Sequence, residues 1–574
     1  MSQKQENLLQ LALQTPEEVR ERTEDLNVGF DSTSKTWELI VKYHGSLDEL
    51  TNQNIAVETL IAGYAILTVP EKLVEQVTAL EQIEYVEMPK RFFYDAVNPA
   101  EEACIPQLRR RDLLLSGKSV LMAVLDSGIN YRLPEFRRAD GSTRILWLWD
   151  QTIRYAQPPD GFAIGQEFSE EDINRALEED NFESVPSFDG SGHGTAVAGI
   201  AAGSSGVAYE AELLIVKLGV PDIRSFPRTT EIMRGVTWAI RKALEKNQPL
   251  VINLSFGNSY GAHDGGSLLE RFLDNASEIG RTVICVGSGN EASSGGHLSG
   301  NLMKNESALA ELAVANYQSG LNIQLWKNYS DEFRIRLRSP GGRETVLPET
   351  VYGVKFTLQL EDTIIYVFLG EPKPYSTAQE IYLEMLPATG RYINSGVWEI
   401  VLEAVRIVSG QYYFYLPVSE ARSEGTGFYR PNPEMTLTIP STAAKVITVG
   451  AYNSTFDSYA DFSGRGYADA GRTIGVVAAG LSKPDLAAPG VGVIAPTVNG
   501  DFQPFTGTSF ATPIVSGSAA LLMEWGIVRG NDLFLYGEKV KAYLRRGALP
   551  LRGEQLYPNS RVGWGKLCVE ASIP

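Results

Sequence analysis

The chain has few of the residues that build redox or metal centres. Its 574 residues include only three cysteines, Cys104, Cys285 and Cys568, and four histidines. Three cysteines do not supply a disulfide framework and no two stand at metal-ligand spacing, so neither a metal nor another cofactor is expected. Cys285 falls in an apolar run, where a thiol acts as a small hydrophobe. No uninterrupted apolar stretch approaches the roughly 20 residues that cross a bilayer, which removes a membrane from the expected partners. The start, Met1-Ser2-Gln3-Lys4-Gln5-Glu6-Asn7, lacks the basic end and apolar core of a secretory signal, so synthesis in the cytoplasm without export by that route is expected. Basic residues are in the minority, 51 against 70 acidic, for a formal charge of −19. That excess argues against a nucleic-acid surface and favours solubility. Apolar residues are plentiful at 43%, enough for a large core, and the length suggests about three or four domains.

The most telling segment is Phe505-Thr506-Gly507-Thr508-Ser509-Phe510-Ala511-Thr512-Pro513, ahead of Ile514, Val515, Ala519, Ala520, Leu521 and Leu522. The apolar run reads as a buried helix, and Gly507 lets a substrate backbone come close to Ser509 at its N-terminal end. Alone, such a serine is far more often a helix cap. Two further motifs lie upstream. Ser119 to Leu125 is an apolar run ending in Asp126-Ser127-Gly128, which reads as a buried parallel strand delivering a carboxylate at its C-terminal end. Asp189-Gly190-Ser191-Gly192-His193-Gly194-Thr195 brings a histidine into a helix of small residues that can pack tightly against a neighbour.

These three motifs, in the order Asp, His, Ser, resemble those of the subtilisin-like serine proteases. The chemistry asks for each residue type. His193 removes the proton of Ser509 as the serine attacks, and Asp126 orients the imidazole and stabilises its cation. The oxyanion needs preplaced donors. Thr282 to Glu291 looks like the family's oxyanion strand and turn, which makes Asn290 one donor and the Ser509 amide the other. Extended peptides bind such enzymes by backbone pairing. Val251 to Gly257 resembles one pairing edge, giving Ser255, Phe256 and Gly257, while Gly287, Ser288 and Gly289 line the pocket for the residue before the cut. Glu291 stands either at that pocket's rim, favouring a basic or polar residue, or as a solvated charge. Lys483 to Gly490 reads as a scaffold turn, and Asp485 is not the triad acid.

Residues 1–96 read as a small α/β unit, with strands at Trp37–Tyr43, Ile61–Val69 and Ile83–Glu87 and a helix from Pro70. That order resembles a subtilase propeptide, which implies a folding chaperone whose tail stays in the active site, so the chain's own cleaved propeptide is expected as a bound inhibitor. Residues 306–437 switch to period two: Phe333, Ile335 and Leu337 alternate with Arg334, Arg336 and Arg338, and Trp398, Ile400 and Leu402 follow suit. They read as an inserted antiparallel β-sandwich or jelly roll. Its arginines suit a solvated face, or less readily an acidic partner. The fold class expected is thus α/β, a subtilisin-like parallel-sheet catalytic domain in two parts, 97–305 and 438–574. With the loop Ile145–Gln151, the architecture resembles the Csp germination proteases of clostridial spores. The resemblance implies an endopeptidase that cuts itself within Tyr94-Asp95-Ala96-Val97-Asn98 and is packaged in the spore. It further implies activation of the proenzyme of a cortex-lytic hydrolase by limited proteolysis. The alternatives are an idle, germinant-sensing scaffold and a general intracellular protease.

Overall fold

The computed structural model describes residues 4–574 except 21, 24, 52–54, 92, 95–103, 105–112, 155–156, 220–226, 349–352 and 467–481. Its centre is a nine-stranded sheet. Six parallel strands run across it in the order Ile447–Asn453, Thr282–Gly287, Leu250–Leu254, Leu121–Asp126, Glu212–Lys217 and Ile145–Asp150. Leu486–Val491 adds a further parallel strand beside Ile447–Asn453, and Gln166–Ser169 and Ser458–Tyr459 pair antiparallel. Leu121–Asp126 is buried at every position, as a strand covered on both faces must be. The helices His193–Ala202 and Thr508–Met523 pack on one face, and Thr229–Lys246 and Leu268–Ala276 on the other. Ile145–Asp150, expected as part of a long loop, is a sheet strand. Its apolar residues cover both faces, which a surface loop does not need.

The N-terminal unit is a five-stranded antiparallel sheet with Thr36–Tyr43 paired to Tyr64–Pro70 and Ile83–Glu87. Strand alternation divides its residues. Ile40, Tyr64, Ile66 and Tyr85 sit on the two catalytic-body helices Thr229–Lys246 and Leu268–Ala276, with Tyr64 edge-on to Phe272 at 5.5 Å. Trp37, Leu39, Val41, Ala65 and Leu67 face the other way, under the helices Asn7–Gln14 and Val74–Ala79. That second core also contains Tyr366, Phe368, Tyr382 and Leu386 of the inserted region. The N-terminal unit is therefore held between the catalytic body and the insertion, a contact that no local pattern announces.

The insertion consists of two antiparallel sheets enclosing one apolar core. The six-stranded sheet runs His297–Asn301, Gln411–Tyr415, Leu321–Asn328, Ala378–Pro387, Thr363–Leu369 and Lys355–Leu360; the five-stranded sheet runs Glu344–Val346, Glu332–Arg338, Gly396–Arg406, Ser307–Val314 and Gly427–Phe428. The first of these strands begins at His297, earlier than residue 306, because its polar and glycine-rich sequence hides the alternation. Arg336 meets Glu403 at 2.8 Å and Glu344 at 2.7 Å, and Arg338 meets Glu399 at 3.3 Å. The arginine row is matched by its own neighbouring strands.

Two expectations need correction. Cys104 and Cys568 are joined by a disulfide across 464 residues of sequence, leaving Cys285 as a buried free thiol. A pairing so distant depends on the closed fold. The stretch Thr508–Val528 is also apolar and long enough to cross a membrane, because Ser, Thr and Gly dilute its hydropathy without cancelling it. Of its most apolar 18 residues, 89% are buried inside the protein.

Candidate active site

Three elements bring Asp126, His193 and Ser509 together. Asp126 ends its strand, His193 opens the helix His193–Ala202, and Ser509 is the second residue of the helix Thr508–Met523. All three are buried. Asp189 caps the histidine helix: its Oδ2 accepts from the Thr195 amide and hydroxyl at 2.8 and 2.7 Å, and its Oδ1 accepts from the Gly192 amide at 2.9 Å. Gly192 enters that turn at φ +81°, where a side chain would be strained. Gly194 is needed for closeness, since a Cβ there would lie 2.2 Å from the Gly128 carbonyl oxygen. The helix end can thus press onto the Asp126 strand.

His193 Nδ1 lies 2.7 Å from Asp126 Oδ1, and the same oxygen accepts the Ser127 amide at 2.7 Å. A carboxylate facing Nδ1 places the proton on that nitrogen. Phe510, next to the serine, sets its ring 5.3 Å from the imidazole. The Ser509 hydroxyl donates to the Ser255 carbonyl at 2.9 Å, while the Ser255 hydroxyl donates to the Ser509 carbonyl at 2.9 Å. Asn253 donates to Ser255 Oγ at 2.8 Å and accepts from Ser516 at 2.8 Å. This chain of bonds ties the serine helix to the strand Leu250–Leu254. Ser255, expected only as a substrate contact, is one of its anchors. Asn253 and Ser516 were not anticipated because their residue types are common and their meeting is tertiary.

Asn290 Oδ1 accepts from the Thr508 amide at 3.1 Å and the Thr508 hydroxyl at 3.2 Å. Its carbonyl end is thereby fixed, leaving Nδ2 as the donating end. The Ser509 amide belongs to a helix's first turn, whose N–H groups have no intrahelical partner. Gly287 ends the strand Thr282–Gly287, with Ser288 buried after it. Glu291 is neither a rim charge nor a solvated one. It is buried, accepts from the Ser419 amide and hydroxyl at 3.1 and 3.0 Å, and lies 3.6 Å from Arg422, so it joins the body to the end of the insertion. Asp485 is buried among Lys483 at 3.0 Å, Lys541 at 3.7 Å and Arg545, which hold its carboxyl far below the usual range against the cost of burial. That cluster docks the helix Glu538–Gly547 onto the turn, consistent with a scaffold role.

The expected binding edge is occupied by the chain itself. Phe93–Tyr94 pairs antiparallel with Phe256–Gly257, Tyr94 opposite Phe256 and Phe93 opposite Gly257. Of the expected cleavage segment, residues 95–98 lie outside the described residues.

This geometry accompanies clear similarity to known proteins. The Csp protease B prodomain family matches residues 3–90, and the Subtilase family matches residues 117–363 and 422–565. The structure of the Clostridium perfringens CspB protease superposes with a TM-score of 0.74 at 34% identity, covering 82% of this chain and 95% of that one. Minor extracellular protease Vpr of Bacillus subtilis (strain 168) is 23% identical over 513 residues, 83% of this chain. Serine protease AprX of the same organism is 31% identical over 159 residues, 24% of this chain. The alignments span 55% of Vpr and 32% of AprX. With a Csp-type prodomain ahead of it, this chain belongs to the subtilase family.

Proposed function

We propose that the protein is a serine endopeptidase that releases and then retains its own prodomain, and that its physiological act is a limited cut activating the proenzyme of a spore cortex-lytic hydrolase. The observation that carries the reading is the Asp126–His193 pair at 2.7 Å beside Ser509, with prodomain residues Phe93–Tyr94 laid on the adjoining edge. His193 takes the Ser509 proton through Nε2 once the serine hydroxyl turns from the Ser255 carbonyl. Apo geometry of this kind commonly tightens only when substrate arrives. Asp126 keeps Nδ1 protonated and stabilises the imidazolium. Asn290 Nδ2 and the Ser509 amide receive the oxyanion, then His193 hands its proton to the leaving amine. A strand already paired at Phe256–Gly257 excludes substrate from that edge, which is how a retained prodomain inhibits. The Csp prodomain and the likeness to a CspB protease support the germination role.

The test incubates self-processed protein separated from its prodomain, and the Ser509→Ala variant, with such a proenzyme and with an unrelated unfolded protein. One cut in the proenzyme, absent with the variant, is expected by intact-mass measurement. Extensive digestion of the unrelated protein with no defined cut in the proenzyme would replace the reading with a general protease. No cut in either, nor within the chain's own residues 94–98, would leave a scaffold.

A further inference from the structure

The turn after the strand Thr282–Gly287 carries Asn290 and is fastened from two sides. On the inner side the catalytic body holds it. The Gly289 amide donates to the Thr508 hydroxyl at 3.1 Å, the Gly464 amide donates to the Gly289 carbonyl at 2.7 Å, and the Ala292 amide donates to the Phe462 carbonyl at 3.1 Å. On the outer side the insertion holds it. The Phe428 and Leu416 amides donate to the Gly295 and Gly296 carbonyls, each at 2.9 Å. Arg422 donates to the Ser294 carbonyl at 3.4 Å and braces itself on the Thr426 carbonyl at 2.7 Å.

Asn290 is the residue of this turn whose placement matters most, because an oxyanion donor works only when aimed at the point where the charge forms. Its side-chain oxygen is pinned by Thr508. The neighbour before it, Gly289, has no side chain to anchor, whereas the neighbour after it, Glu291, buries one in the insertion. Glu291 is 7% exposed, and its Oε1 accepts from the Ser419 amide and hydroxyl at 3.1 and 3.0 Å. Its Oε2 lies 3.6 Å from Arg422, which is itself buried, and a buried charge is costly to part from its counter-charge. The Glu291 carbonyl accepts from the Ser294 hydroxyl at 3.0 Å, which closes the turn. Ser419 and Arg422 belong to the segment between Gln411–Tyr415 of one insertion sheet and Gly427–Phe428 of the other. The grip on Glu291 therefore comes from the link between the two sheets.

Resting on the endopeptidase reading above, we propose that Glu291 is a positioning residue for the oxyanion asparagine, and that the inserted domain, through Ser419 and Arg422, thereby contributes to turnover. With the clamp in place, Asn290 Nδ2 meets the developing oxyanion without having to be ordered during the reaction. Without it, the turn keeps its body contacts on the inner side but loses its side-chain anchor, and the donor spreads over positions that miss the oxyanion. Loss of aim cannot cost more than loss of the donor itself, which sets a ceiling of about a hundred- to a thousandfold on kcat.

The test uses self-processed protein separated from its prodomain and a peptide copying residues 88–103 of the chain, with kcat expressed per Ser509 labelled at end point by a small fluorophosphonate. Glu291→Ala should lower kcat by about tenfold or more, within that ceiling, while KM changes by less than about twofold. Glu291→Gln keeps an acceptor for Ser419 and should recover most of the loss. A double-mutant cycle decides the cause. In an Asn290→Ala background, Glu291→Ala should change kcat by less than about twofold, because no donor is left to aim. A clamp that serves only structure acts alike in both backgrounds, so equal losses in the two would overturn the proposal, as would an unchanged kcat in Glu291→Ala. Should Glu291→Ala fail to fold, Ser419→Ala removes one hydroxyl and enters the same cycle, with a severalfold loss expected only where Asn290 is present. Either overturning result in a protein whose wild type labels and cuts removes the positioning role alone. A wild type that neither labels nor cuts overturns the endopeptidase reading and this one with it.

Discussion

Retention of the prodomain should depend on one buried guanidinium. Arg234, on the catalytic-body helix Thr229–Lys246, is 2% exposed and bonds prodomain residues Glu38 and, at 3.0 Å, Glu58, along with Glu231 of its own helix at 3.1 Å. Arg228 supports Glu38 from 2.8 Å. Replacing Arg234 by Met keeps the bulk and leaves buried carboxylates short of a partner, which costs about 3–5 kcal/mol where a buried pair is broken. Because Arg228 still holds Glu38, the lower figure applies, or roughly a hundredfold weaker hold on the cleaved prodomain. Size exclusion of self-processed protein reads this as loss of the co-eluting fragment. Adding Glu38→Gln and Glu58→Gln to Arg234→Met should recover part of the loss, since neutral groups cost less to bury unpaired than charges. Co-elution of the single variant equal to wild type, or no recovery in the combined one, would refute the argument. The pH dependence has a definite sign. Although burial raises it, the two arginines bring the Glu38 carboxyl from 4.5 down to about 2 in the complex. Its contribution is thus full above pH 4.5 and fades as pH falls toward 2, releasing the fragment. Glu58, raised by burial, acts in the opposite sense and blunts the transition.

Three further outcomes are expected. Asn290→Ala should lower kcat by about a hundred- to a thousandfold, the range found for the equivalent donor in subtilisin, with KM little changed; an unaltered kcat would remove Asn290 from the oxyanion site. Thiol titration of unfolded, unreduced protein should detect one thiol, Cys285, rising to three after reduction, and three at the outset would contradict the Cys104–Cys568 bond. Tyr382→Ala removes a side chain 1% exposed at the junction of insertion and prodomain, at a cost of about 3–5 kcal/mol for a buried aromatic. The variant should be digested much faster by an added protease, and unchanged resistance would show that this junction does not limit unfolding.

Much of the candidate site was legible along the chain because each candidate catalytic residue sits where local pattern changes. Asp126 ends an apolar run, His193 follows a glycine turn, and Ser509 precedes a helix of small residues. The same reasoning located four elements of the prodomain, since Thr36–Tyr43, Tyr64–Pro70, Val74–Ala79 and Ile83–Glu87 carry clear periodicity. It missed the helix Asn7–Gln14 and the strand Ala56–Thr59. Both are short, and the strand buries none of its four residues fully, so the pattern within each is too brief to read.

By itself the sequence determined the order of elements, the alternation that divides sheet faces, and the residue types able to do acyl-transfer chemistry. Those follow from covalent spacing and side-chain polarity, which are local. Only the tertiary structure decided that Glu291 is buried against Arg422 rather than open to substrate, and that Cys104 meets Cys568. It alone seats the prodomain between two other units. Each of these joins residues far apart in the chain, and their meeting is set by how whole sheets and helices cover one another's apolar faces.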